Sequence, residues 1–177
     1  VAAAPALAIM LGADVGTTLV AQIFSFDVSW ISPILILAGV VLFYATSGKR
    51  TRSFGRIMLG LGLMLLALGL IVGGSEPMRS SETVRTIFTA LSGEPILAVL
   101  TAALLTWLAH SSLAIVLLIV SLVGTAVISL PLAFTLVLGA NLGGAMPAVL
   151  ATLHAPPAGR RVALGNAIFK LVGVLLL

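Results

Sequence analysis

Residues 6–18, Ala6-Leu7-Ala8-Ile9-Met10-Leu11-Gly12-Ala13-Asp14-Val15-Gly16-Thr17-Thr18, break an apolar run with a short glycine-spaced polar string. Residues 133–144, Ala133-Phe134-Thr135-Leu136-Val137-Leu138-Gly139-Ala140-Asn141-Leu142-Gly143-Gly144, do so a second time. Aligned on Gly12 and Gly139, the two strings match at Ala6/Ala133, Ile9/Leu136, Leu11/Leu138, Gly12/Gly139, Ala13/Ala140, Asp14/Asn141, Val15/Leu142 and Gly16/Gly143, which makes them an internal repeat. Each reads as one crossing with a break in its middle: the first from Ala2 to Phe26, the second from Pro131 to Leu153. Glycine lets the backbone leave helical geometry. The carbonyls and amides so released can face a cation or an anion. Irregular backbone at membrane depth is tolerated only where protein or a wet cavity surrounds it.

The rest of the chain fits that reading. Of 177 residues, 60% are hydrophobic and 8% charged, and the mean hydropathy is +1.28, far from the make-up of soluble domains. Continuous apolar blocks, rather than alternating polarity, exclude a barrel and predict an all-α, polytopic membrane protein. Trp30 to Thr46 and Ile57 to Val72 read as spans, with Gly60, Gly62 and Gly69 available for close helix packing. Gly73 to Glu94 is the most polar stretch, with Ser80 or Ser81 as N-cap of a short surface helix. Pro95 to Ala109 and Leu113 to Val127 are apolar arms around His110, Ser111 and Ser112, a pattern that suits a re-entrant hairpin. A last apolar helix starts at Val162.

The absence of cysteine excludes disulfides and thiol chemistry. The net charge of +4 gathers in two short loops, Lys49 to Arg56 and Arg160, Arg161, which reads as a topology signal and not as a nucleic-acid footprint. The positive-inside rule puts both in the cytoplasm. Parity then makes the two interrupted segments cross in opposite directions, with the hairpin returning to the outside. That is an inverted repeat, an architecture that places ligands near the midplane on discontinuous helices. The chain divides into 1–72 (end of the first repeat plus connecting helices), 73–94 (an extracytoplasmic loop) and 95–177 (the second repeat).

The strings Gly12-Ala13-Asp14-Val15-Gly16-Thr17-Thr18 and Gly139-Ala140-Asn141-Leu142-Gly143 resemble the Gly-Ala-Asn-Ile-Gly-Thr-Thr signatures of type II sodium/phosphate cotransporters. His110-Ser111-Ser112 resembles the family's Gln-Ser-Ser motif. Arg161 to Lys170 resembles its Arg-Ala-Ala-x-x-His-x-x-Phe-Asn segment. The resemblance implies a carrier with sodium and phosphate bound between repeats, each repeat pairing a Gln-Ser-Ser hairpin with a broken helix, and a first hairpin preceding Val1. Three positions depart from the family pattern: Asp14 for Asn, His110 for Gln, and Gly144-Ala145 for Thr-Thr.

Candidate substrate- and ion-binding residues are therefore Asp14, Gly16, Thr17, Thr18, His110, Ser111, Ser112, Asn141 and Gly143, with Asp14, Thr17, Ser111 and Asn141 as sodium ligands. An intramembrane carboxylate costs at least about 2.5–3.5 kcal/mol on insertion scales, and such residues mark ion pathways. A carboxylate repels phosphate, which favours cation coordination for Asp14. The expected partners are phosphate, sodium as coupling ion and the lipid bilayer, with no cofactor and no nucleic acid; a homo-oligomer is left open. The expected place is the bacterial inner membrane. Three other readings compete: a carrier of another small anion, a non-transporting scaffold, and an enzyme using Ser111 or Ser112 with His110. Adjacent residues align poorly for proton transfer, so the chain is read as a non-enzyme. Asn166 and Lys170 receive no site role, Lys170 being read as a snorkelling side chain.

Overall fold

The computed structural model describes residues 3–24, 30–45 and 48–176, and among them every regular element is helical. The expected ends at Ala2, Phe26 and Thr46 lie outside the described residues. In chain order the elements are α1 (Ala3–Phe24), α2 (Ile31–Ala45), α3 (Lys49–Gly74), α4 (Glu76–Ser80), α5 (Glu82–Ser92), α6 (Pro95–Ala109), α7 (Ser112–Gly124), α8 (Leu130–Gly143), α9 (Met146–Ala151) and α10 (Pro157–Leu176). Among the described residues, three stretches are long and apolar enough to cross a membrane: Ala4–Gln22, Lys49–Ser80 and Leu130–Ala151. The arms α6 and α7 have 15 and 13 residues. At about 1.5 Å per residue each reaches roughly 20 Å, short of the ~30 Å hydrocarbon thickness. The 15-residue α2, expected as a full span, is equally short.

Glycine and alanine set how the helices meet. A Cβ on Gly39 would lie 2.6 Å from the Leu59 amide nitrogen, and one on Gly62 would lie 2.9 Å from the Ile36 nitrogen. Gly55 in turn abuts Phe43 and Leu42. Residue numbers rise along α2 as they fall along α3, so the two form a tight antiparallel hairpin. The buried Ser32 hydroxyl staples it by donating to the Gly62 carbonyl at 2.8 Å. Of the three glycines expected to pack, only Gly62 does; Gly60 and Gly69 face open space. Gly39 and Gly55 take that role instead.

On the other side of the fold, Gly139 rests on Val99 and Ala102, and Gly143 on Ala103. Numbers rise together, so α6 and α8 run parallel. A buried stripe at Ala98, Ala102 and Thr106 faces Leu132, Ala133, Leu136 and Ala140. The α6–α7 link is short because His110 adopts left-handed backbone (φ 54°) and Ser111 at once caps α7. Ser112 lies against Gly144, while four residues on Val116 shares a recess with Val137. Thus α7 is antiparallel to α8, and α6–α7 is a helical hairpin. A left-handed Ala126 (φ 55°) closes α7 through Val127 N–H to Leu122 O and Ala126 N–H to Val123 O, the Schellman arrangement.

The short helix expected within residues 73–94 is α5, capped by the Ser81 hydroxyl, which accepts from Val84 N–H; it lays Val84, Phe88 and Leu91 on the core. One expectation is corrected. Both cationic clusters fall in the first turns of helices rather than in loops, Lys49 to Arg56 opening α3 and Arg160, Arg161 opening α10. A helix N-terminus disfavours cations. Arg52 and Arg56 find compensation over the Phe43 ring, at 4.5 Å and 5.3 Å from its centroid.

Candidate functional site

The two repeat strings fold differently. The second, expected to break across Gly139 to Gly144, stays helical through Gly143 and is interrupted only at Gly144 and Ala145; the cause is Pro147. Proline has no N–H to give the Gly143 carbonyl and its ring crowds that turn, so α8 stops and α9 restarts. In the alignment the counterpart of Pro147 is Val20, and α1 passes through Gly12 to Thr18 as one unbroken helix. The expected break in the first crossing is therefore absent. The Thr17 hydroxyl donates to the Ala13 carbonyl at 2.6 Å and the Thr18 hydroxyl to the Asp14 carbonyl at 3.0 Å. Both are back-bonds typical of threonine in continuous helix.

The strings nonetheless meet. Asp14, Thr17 and Thr18 of α1, Ser112, Leu113 and Val116 of α7, and Val137 and Asn141 of α8 bound one recess of about 90 Å³. A neighbouring recess of about 420 Å³ opens on the other side of Asp14 and Asn141, between α8 and α10. Lys170 enters there, its Nζ 2.9 Å from Asp14 Oδ1. Its side chain is only 10% exposed, that of Asp14 35%. Gly165 packs on Leu7 one end of this contact away, so α1 and α10 run parallel and bring together residues 156 positions apart.

Lys170 is the residue that sequence reasoning missed. Its signal was present: a lysine and an aspartate each set in an apolar helix are each costly alone and far less so together. One turn before it on α10, Asn166 is buried at 4% exposure, and its Oδ1 has no hydrogen-bond partner among the described residues. Asn141 is exposed between the two recesses, its amide likewise without a partner among the described residues.

The expected motif His110-Ser111-Ser112 splits. Ser112 joins the Asp14 recess. Ser111 spends its hydroxyl capping α7, accepting from Ala114 N–H at 3.2 Å, and faces a different recess lined by Met64, Leu68 and Ile71. His110 is exposed and its Nδ1 meets the Leu108 carbonyl at 3.1 Å. Neither arrangement couples the imidazole to a serine hydroxyl. The glycines are divided as well. Gly143 is buried against the Ala103 backbone, a close-approach position, and Gly16 has nothing within 4 Å of where a side chain would start.

The chemistry available is thus one carboxylate held by one ammonium, with hydroxyl and amide oxygens of Thr17, Thr18, Ser112 and Asn141 around them. Oxygens of this kind suit a hard monovalent cation, and the ammonium and amide N–H groups suit an anion.

Comparison with known proteins identifies the family of the chain. A sequence profile described as Na+/Pi-cotransporter matches residues 1–73 and 77–176. "Putative inorganic phosphate export protein YjbB" of Escherichia coli K12 is 49% identical over all 177 residues, and the protein of the same name in Salmonella typhimurium LT2 is 48% identical. "Uncharacterized protein YqeW" of Bacillus subtilis is 25% identical over 167 residues, 94% of this chain and 54% of its own length. The chain spans about a third (33%) of the length of the two export-protein relatives. No solved structure matches it. With that profile covering nearly its whole length, this helical membrane chain belongs to the Na+/Pi-cotransporter family.

Proposed function

We propose that the chain is part of a secondary carrier that moves inorganic phosphate across the bacterial inner membrane, coupled to sodium, by alternating access and without covalent chemistry. One observation carries the proposal: in a chain that is 60% hydrophobic, α1, α7 and α8 converge their polar residues on a single recess at Asp14 and Asn141. Family membership and the printed name of the Escherichia coli relative support phosphate as the substrate, and that name supports export as the net direction. The inner-membrane location rests on the same bacterial relatives. The antiparallel α6–α7 hairpin, with arms of about 20 Å each, supports a re-entrant arrangement that does not span the bilayer.

Labelled phosphate flux in vesicles holding the full-length protein, measured with and without sodium, tests the proposal. Sodium-stimulated phosphate flux that excess sulfate does not suppress is the expected result. Flux carried by another anion in preference would replace phosphate as substrate. A protein that inserts normally yet carries no flux, with Asn141→Ala also without consequence, would leave the scaffold reading in its place.

A further inference from the structure

Lys170 and Asp14 form a pair that no sequence motif assigns, and their surroundings say what it can exchange with. The ammonium uses one of its three donors on Asp14 Oδ1. Beyond it lies the 420 Å³ recess bounded by Leu138 and Asn141 of α8 and by Phe169 and Gly173 of α10, so its remaining donors border open space. On the opposite side Asp14 borders the smaller recess with Thr17, Thr18 and Ser112. Both threonine hydroxyls have given their hydrogen to the backbone, which leaves only oxygen lone pairs for a ligand. One flank of the pair is thus rich in acceptors, and the other presents a cation.

We infer that Asp14 and Lys170 are an exchangeable ion pair that couples the two ligands: sodium takes Asp14 as phosphate takes Lys170. The inference rests on the phosphate-carrier reading above and deepens it. The coupling follows from charge. In the closed pair the two charges cancel. Sodium alone would leave the 10%-exposed Lys170 ammonium without its counter-charge, which is disfavoured, and phosphate alone would leave the Asp14 carboxylate so, at a smaller cost because it is 35% exposed. Sodium and monobasic phosphate together recreate two opposite-charge contacts and leave the total charge of the site unchanged. Each ligand therefore raises the affinity for the other, and by linkage the two effects are equal.

The test is equilibrium binding of labelled phosphate to the purified full-length protein over a sodium titration, with monodispersity in detergent as the folding check. The native protein should bind phosphate at least tenfold more tightly at saturating sodium than without it. Asp14→Asn removes the carboxylate that holds Lys170, and its phosphate affinity should become independent of sodium to within twofold. Lys170→Gln should weaken phosphate at least tenfold at saturating sodium, and Lys170→Arg should restore most of that loss. If either single variant is polydisperse, Asp14→Asn with Lys170→Gln removes both charges at once. That double variant should bind phosphate weakly and with no sodium effect. Monodisperse variants that keep the native sodium dependence and phosphate affinity would overturn the inference while leaving the carrier reading intact. A native protein that binds no phosphate at all would overturn both.

Discussion

Gly12 and Gly139 occupy matched positions in the repeat, as do Gly16 and Gly143, yet one identical substitution should have opposite effects in the two halves. A Cβ on Gly143 would stand 2.7 Å from Ala103 Cα and 2.8 Å from Ala103 C; one on Gly139 would stand 2.9 Å from Ala102 Cβ and from Val99 C. Carbon atoms settle at about 3.5–4.0 Å, so Gly143→Ala must push α8 off α6 by roughly 0.7–1.3 Å at that contact, and the obstruction is backbone that cannot rotate away. Such overpacking costs about 1–3 kcal/mol. Gly12→Ala and Gly16→Ala meet no atom within 4 Å in a helix that runs on past them. The better helix propensity of alanine should then stabilise by up to about 1 kcal/mol. Thermal unfolding of the four purified variants in detergent measures this, and phosphate flux follows whether Asn141, two residues before Gly143, has moved. The expected order is Gly16→Ala and Gly12→Ala at or above the native protein, with Gly139→Ala and Gly143→Ala clearly below. Loss of stability in Gly12→Ala or Gly16→Ala equal to that in Gly143→Ala would refute the reasoning, since α1 could then be neither a regular helix nor open on its glycine face.

Two further outcomes separate local from functional roles in the α6–α7 hairpin. Ser111→Ala deletes an N-cap and should cost about 1 kcal/mol of stability with phosphate affinity unchanged, whereas Ser112→Ala should weaken phosphate or sodium binding several-fold with little change in melting temperature. His110→Gly keeps the left-handed turn at φ 54° and relieves a strain of about 1 kcal/mol, so both flux and stability should be maintained or improved; a fall in phosphate affinity would give the imidazole a ligand role instead.

Much of the helical layout was legible because the bilayer permits few alternatives: the apolar blocks and the turn at His110 follow from composition, and an interruption of the second string was expected, though it falls at the end of Gly139 to Gly144 and not through it. The cause of that interruption was misread. Glycine permits a break but Pro147 compels one, and the first string lacks its equivalent. Asp14 stood out because an acid in an apolar helix demands a partner, and Ser112 and Asn141 followed from their motifs. Lys170 did not, since a long lysine near the end of an apolar helix reads equally well as snorkelling; only the parallel packing of α1 and α10 decides between the two. Ser111 and His110 show the converse. Their motif pointed to ligand binding, whereas helix capping and left-handed turn geometry account for where both side chains sit. Gly60 and Gly69 were as good packing candidates by spacing as Gly39 and Gly55, because which face of α3 meets α2 is a tertiary fact.

Phosphate is expected to bind in the recess beside Lys170, between α8 and α10. Phe169 lines that recess and its neighbour Ile168 does not, although the two are about equally exposed, at 58% and 59%, and the chain has no cysteine of its own. Thiol modification rates should therefore be measured for Phe169→Cys and Ile168→Cys in sodium-containing vesicles holding the full-length protein, with and without phosphate. Phosphate should slow modification at position 169 at least severalfold and leave position 168 unchanged. Equal rates at 169 with and without phosphate, in a protein that still carries phosphate, would place the ligand elsewhere and contradict this reading.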